Sequence, residues 1–227
     1  MQRLNDSAVI LDSIRKKYPE KFTSLKKAFS SIKGAGRIFI STACAKPRYL
    51  VQEFVEFVRK NPRAFTNADV IHVYSLGVAP FIDENLQNTV RYNCFFIGNS
   101  SREAVNKGEA DYVPMFFSGV PQLFQRGIVK IDAALVQTSM PDHNGMMSLG
   151  ISIDIVKAAV ESSTLVIAQI NPQMPRVHGN TFISVEDVDY LFHKDEPLLE
   201  YESGTPDENS EIIGKFVSRI VKDGDTI

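Results

Sequence analysis

Apolar residues along this chain follow two rhythms that take turns. Leu50, Val51, Phe54, Val55 and Val58 recur at helical steps behind Pro47, which predicts a helix with one apolar face. Shorter runs dense in β-branched and aromatic residues predict strands at residues 37–41, 70–75, 94–97, about 112–117, 133–138 and 165–170. Helical segments are predicted between them at about 101–107, closed by Gly108, near 121–125 and at about 153–161. Residues 1–36 read as two helices, the second opening at Pro19, burying Phe22, Leu25, Phe29 and Ile32, and stopped by Gly34 and Gly36. Strands alternating with helices, several strands being apolar almost throughout, imply an α/β fold. Its sheet is open and mostly parallel, with helices on both faces and the N-terminal helices ahead of it.

The end of the chain breaks this series. Residues 200–210 are polar and read as a solvated linker, after which Ile212, Ile213, Phe216, Val217, Ile220 and Val221 form an amphipathic helix. Residues 222–225 signal a turn, and Thr226 and Ile227 read as the first residues of another strand. The expected division is N-terminal helices at 1–36, an α/β domain at 37–204, and at 205–227 a linker helix with the start of a further domain. A βα series that stops where a strand begins predicts a polypeptide that was cut or that continues.

Composition narrows the function classes. With 25 Lys and Arg against 27 Asp and Glu, the net charge of -2 gives no electrostatic footprint for nucleic acid or an anionic membrane. The apolar runs at 131–136 and 164–170 fall far short of the roughly 20 residues a bilayer span needs. The N-terminus mixes both charge signs and lacks an apolar signal core, so the expected compartment is the cytoplasm. Cys44 and Cys94 match no CxxC spacing and are expected to be buried free thiols, and His72, His143, His178 and His193 lack the spacing of a metal site. No metal is expected.

Candidate chemistry gathers in loops that follow predicted strands. Gly34-Ala35-Gly36 follows a helix and precedes a strand, the reverse of the order that places a pyrophosphate on a helix N-terminus, so it is not a cofactor loop. Asn99 and Ser100 lead from a strand into a helix, where backbone N–H groups could bind an anion; alternatively Ser100 caps the helix and Glu103 completes a capping box. The segment QTSMPDHNGMMSLGIS, 137–152, carries Gln137, Ser139, Asp142, His143 and Asn144 after a buried strand. Such a loop is placed to bind a ligand, or is a turn held by the side chains of Asp142 and Asn144. In INPQMPRVHGNTFISVEDVDY, 170–190, Arg176 could pair with a carboxylate or phosphate and His178 could donate a hydrogen bond, with a surface arginine and a structural histidine as the plainer alternatives.

Taken in order, these segments resemble the N-terminal half of the acetyl-CoA hydrolase/transferase family, which includes 4-hydroxybutyrate CoA-transferase and related acetate and butyrate CoA-transferases. The resemblance runs from about Arg37 to Ile227 and is most specific in 137–152 and 170–190, while the loop STACAKP, 41–47, lacks the glycines many members carry there. It implies two similar open α/β domains. In such enzymes a glutamate of the C-terminal domain attacks the acyl-CoA thioester, a mixed anhydride forms, and CoA thiolate converts it to a glutamyl-CoA thioester that the acceptor carboxylate then reverses. The glutamate and the glycine-rich CoA loop would both lie after Ile227, so this chain alone is expected to be inactive.

The resemblance further implies that coenzyme A is a substrate, with no permanently bound cofactor. The partners would be an acyl-CoA, a short-chain carboxylate and the C-terminal domain of the same polypeptide, with self-association as a further expectation. The residues expected to line the cleft are Ser41, Gln137, Ser139, Asn171, Met174, Arg176, His178 and Gly179, with Asn99 and Ser100 as the anion-binding pair. Acetyl-CoA hydrolysis, a non-catalytic α/β ligand-binding module, and an isomerase or deaminase on a related single domain are the alternatives.

Overall fold

The computed structural model describes residues 2–74, 81, 86, 89–201 and 204–226, with side chains from residue 9 onward. Helix α1 (Gln2–Lys17) leads through a 3-10 turn at Pro19–Lys21 to α2 (Leu25–Ser30). The α/β series follows as β1 (Arg37–Ile40), α3 (Arg48–Lys60), β2 (Ala68–His72), β3 (Val90–Cys94), α4 (Arg102–Asn106), β4 (Asp111–Tyr112), α5 (Val120–Gln125) and β5 (Ala133–Thr138). It continues with β6 (Met146–Ser148), α6 (Val156–Ser162), β7 (Val166–Ile170), β8 (Phe182–Ser184) and β9 (Tyr190–His193), and ends with α7 (Glu208–Ser218).

Seven of these strands make one parallel sheet in the order β4-β3-β2-β1-β5-β7-β9, and β6 pairs antiparallel with β8 in a separate ribbon. The pleat sends alternate side chains to opposite faces. Phe39, Ile71, Ala134 and Val136 meet Leu11 of α1, Val120 of α5 and Ala159 of α6 on one face. Ile38, Ile40, Val70 and Leu135 meet Phe29 of α2, Phe54 of α3 and Ala104 of α4 on the other. Rings of Phe29 and Phe65 each stand edge-on to Phe54 at 5.3 Å, and burying one such side chain contributes roughly 1.5–3 kcal/mol.

Strand order reverses between β1 and β5. The chain leaves β1 toward α3 on one face and leaves β5 toward α6 on the other, so a crevice opens between them at the carboxyl ends of the strands.

Several elements fall differently from the sequence expectation. The helix expected to open at Pro19 is a 3-10 turn followed by α2, because the Ser24 hydroxyl accepts the Lys27 N–H and sets a fresh helix start. Helix α2 also ends before Gly34 and Gly36; added Cβ atoms there would lie 2.7 Å from the Ala64 carbonyl and 2.9 Å from that of Lys33, so these glycines permit close packing of backbones. The strand expected at 94–97 is β3, which ends at Cys94, although Phe95 and Phe96 still donate to His72 and Val73 carbonyls. The strand expected at 112–117 shrinks to β4, with Phe117–Gly119 in a 3-10 turn. Helix α6 starts at Val156 instead of near 153, and β6, β8 and β9 were not expected.

At the far end, α7 is exposed along its whole length, its apolar stripe included. Thr226 is not in a strand; Ile227 and Ser75, the last residue of the strand expected at 70–75, lie outside the described residues.

Candidate functional site

The face carrying α3 ends in a row of buried polar groups. Gln137 of β5, Gln169 of β7 and Asn171 just beyond β7 point to this face, and none is more than 2% exposed. A buried amide without a partner would cost about 1–3 kcal/mol, so the three must satisfy one another. Asn171 Nδ2 donates to Gln137 Oε1 at 2.8 Å and to the Glu196 carbonyl at 2.9 Å, while Gln169 Nε2 donates to Glu196 Oε1 and, at 3.4 Å, to Gln137 Oε1. Glu196 in turn accepts the Tyr49 N–H at 3.2 Å and lies 3.8 Å from Arg48, which ties the segment after β9 to the N-terminus of α3.

Lys46 and His72 continue this row. Gln137 Nε2 donates to the Lys46 carbonyl at 3.4 Å, and Lys46 is only 7% exposed. Burial, reinforced by the positive charge of Arg48, pulls the Lys46 pKa down to about 8. His72 is 1% exposed, with its ring 5.6 Å from Tyr92 and 6.5 Å from Phe81. Burial and the nearby Lys46 charge push its pKa down to about 3, so the imidazole is neutral, and its Nδ1 has no hydrogen-bond partner among the described residues.

The opposite wall is built from β1, the loop after β5 and the start of α6. Thr42 Oγ1 donates to Asp154 Oδ2 at 2.7 Å and lies 2.8 Å from Ser152 Oγ, while Asp154 Oδ1 accepts the N–H groups of Ile155 and Val156. This carboxylate therefore latches the loop after β1 to α6. Ser41 is 1% exposed, and its hydroxyl has no partner among the described residues. Ser139 accepts the Ser148 N–H at 2.9 Å and donates to the Met140 carbonyl at 3.0 Å. The Asp142 carboxylate accepts N–H groups of Asn144 and Met146, a turn of the kind its sequence suggested.

The structure distributes the expected site residues over two layers. Ser41, Gln137, Ser139, Asn171 and Met174 are buried beneath the rim; Met174 packs on Gly150, whose added Cβ would fall 2.0 Å from the Met174 sulfur. Arg176 lies at the surface over the Phe182 ring, where it donates to the Met146 carbonyl at 2.9 Å and pairs with Asp142 at 2.9 Å. His178 and Gly179 are exposed, Gly179 at φ 100. Asn99 is exposed and Ser100 half-buried ahead of α4. Ser101, not Ser100, holds the N-cap position there with no side-chain cap, and Glu103 pairs with Lys107 at 2.7 Å, so the capping box does not form.

Sequence reasoning did not single out Lys46, His72, Gln169, Asp154 or Glu196. A lysine directly before the proline that opens α3 was the one available signal. Cys44 and Cys94 are free thiols, Cys94 buried and Cys44 half-buried. Among the described residues, a surface cavity of about 350 Å3 lies between α2 and α3 and one of about 530 Å3 beside α6 near Asp187 and Asp189.

Fold and crevice together define a doubly wound α/β domain of the type that takes ligands at its switch point. Residues 2–200 match the acetyl-CoA hydrolase/transferase N-terminal domain, and the chain belongs to that family. It is 37% identical to the 4-hydroxybutyrate coenzyme A transferase of Clostridium kluyveri, over 92% of this chain and 48% of that protein. It is 30% identical to the succinyl-CoA:acetate/propanoyl-CoA:succinate CoA transferase of Fasciola hepatica, over 93% of this chain and 44% of that one. Among solved structures, the 4-hydroxybutyrate CoA-transferase of Porphyromonas gingivalis superposes with a TM-score of 0.74 at 27% identity, covering 93% of this chain and 48% of that one. RipA from Yersinia pestis shares the fold, with a TM-score of 0.82 at 24% identity over 93% of this chain and 51% of its own. The chain thus spans about half the length of the curated relatives it matches.

Proposed function

We propose that this chain is the N-terminal half of a cytoplasmic acyl-CoA:carboxylate CoA-transferase and forms one wall of its substrate cleft. The observation that carries the reading is the family match over residues 2–200. The crevice at the ends of β1 and β5 supports it. In the proposed reaction a glutamate of the other half attacks the thioester carbonyl, the C–S bond breaks, and CoA leaves as thiolate. That thiolate attacks the glutamyl carbonyl of the mixed anhydride, releasing the first acid and leaving CoA on the enzyme. The acceptor carboxylate then runs the two steps backward. Coenzyme A is substrate throughout, and no permanently bound cofactor takes part.

The residues of this half would bind, orient and exclude water. Asp154 and Glu196 are committed to holding backbone N–H groups and neighbouring side chains, which suits positioning and not attack. Arg176, His178 and Gly179 are the proposed contacts to substrate, Asn99 and Ser100 a proposed anion contact, and Ser41 a proposed part of the buried layer behind them. Gln137, Ser139, Asn171 and Met174 would shape the wall from beneath.

The test is exchange of CoA between butyryl-CoA and labelled acetate. It should be absent for the 227-residue chain and present when the chain is joined to the second half of the Clostridium kluyveri relative. Turnover by the chain alone at roughly 1–1000 per second would overturn the reading.

A further inference from the structure

We propose that Ser148 and Thr181 are positioning residues: their buried hydroxyls grip the backbone of Val177 on both sides and so fix the turn that presents His178 to the substrate. This inference rests on the reading of the chain as a CoA-transferase half with His178 among its substrate contacts.

The ribbon of β6 and β8 brings the segments 137–152 and 170–190 together, with Ser148 opposite Phe182. Ser148 ends β6 and Thr181 directly precedes β8, so the two hydroxyls meet where the ribbon gives way to loops. Both are sealed from solvent, Ser148 at 0% and Thr181 at 5% exposed, so their hydrogen bonds are made within the protein. Ser148 Oγ accepts the N–H groups of Gly150 at 3.1 Å and Val177 at 3.2 Å. Thr181 Oγ1 lies 3.5 Å from Ser148 Oγ and donates to the Val177 carbonyl. With the Thr181 proton committed to that carbonyl, the Ser148 proton is the one left for Thr181 Oγ1. The bonds thus run in one direction, from the Val177 N–H through Ser148 and Thr181 to the Val177 carbonyl, and close on a single residue.

The residues that follow depend on this grip. His178, Gly179 and Asn180 are exposed, and Gly179 sits at φ 100, a conformation open to glycine. Burial therefore does not order the turn, and among the described residues its other backbone tie is the Thr181 N–H to the Gly179 carbonyl at 2.9 Å. A side chain that meets a substrate has to be held in place, since a misplacement of about 1 Å can cost on the order of 100-fold in rate. Ser148 and Thr181, too deep to touch substrate themselves, act on the reaction through His178.

The experiment is a kinetic double-mutant cycle in the joined protein, read as kcat/KM for exchange of CoA between butyryl-CoA and labelled acetate, with urea unfolding of each variant alongside. Ser148→Ala and Thr181→Val should each lower kcat/KM by roughly 10- to 100-fold, while Thr181→Ser, which keeps the hydroxyl, should stay within about threefold of wild type. In a His178→Ala background neither Ser148→Ala nor Thr181→Val should cost much more, because their route to the substrate is already gone. In the 227-residue chain, Ser148→Ala should strip the Val177 amide of its protection from hydrogen exchange. Wild-type kinetics in His178→Ala or Thr181→Val, a full loss that persists in the His178→Ala background, or Thr181→Ser as impaired as Thr181→Val overturns the assignment. If Ser148→Ala does not fold, the two Thr181 variants decide. Failure of the transferase reading would show separately, as a lack of CoA exchange in the joined wild-type protein.

Discussion

Two buried bases at the strand ends contribute to how this protein responds to pH. The folded state holds the His72 pKa down at about 3 against an ordinary 6.5, so the unfolded chain binds a proton there that the folded chain does not. Stability therefore falls as pH drops from about 6.5 toward 3. Between pH 7 and 4.5 this costs roughly 2–3 kcal/mol, and His72→Phe should flatten that limb in urea unfolding curves. Lys46 works in another window: with its pKa lowered to about 8, stability rises with pH from about 8 to 10.5, and Lys46→Met should remove that rise. The importance of these residues was not legible from sequence, since a lone histidine or lysine acquires its character from what the fold stacks over it. Gln137 and Asn171 were legible as polar residues near strand ends, but their mutual bond at 2.8 Å arises from β5 and β7 lying side by side.

At the scale of elements, loops at the crevice are held by a few polar latches and one tight glycine. Asp154→Ala removes the acceptor that joins Thr42 to the start of α6 and should lower stability by about 1–2 kcal/mol in thermal or urea unfolding, with Asp154→Asn costing less. Gly150→Ala puts a methyl group 2.0 Å from the Met174 sulfur at a backbone φ of 69, and should destabilise by roughly 1–3 kcal/mol. A melting temperature unchanged by Gly150→Ala would show that Met174 yields freely. Sequence periodicity located α3, β5 and β7 because their apolar runs are long and unbroken. It placed β3 and β4 too late, since the aromatic run at 112–117 suits strands in composition while Phe116 is 89% exposed. The ribbon of β6 and β8 escaped notice because strands of three residues carry too little alternation to read.

For the whole molecule, alternation of strand and helix was enough to give a parallel α/β sheet, whereas the strand order that opens the crevice between β1 and β5 emerges only from long-range pairing. The resemblance to the CoA-transferases was visible in two loop segments, and the family match over residues 2–200 agrees with it. The central claim is that this half shapes the cleft while the attacking carboxylate belongs to the other half. It is tested most directly by mass spectrometry after brief incubation with butyryl-CoA, with hydroxylamine to release thioesters. The joined protein should carry one hydroxylamine-labile CoA adduct on a glutamate outside residues 1–227. A CoA adduct on any carboxylate within residues 1–227 would contradict the account.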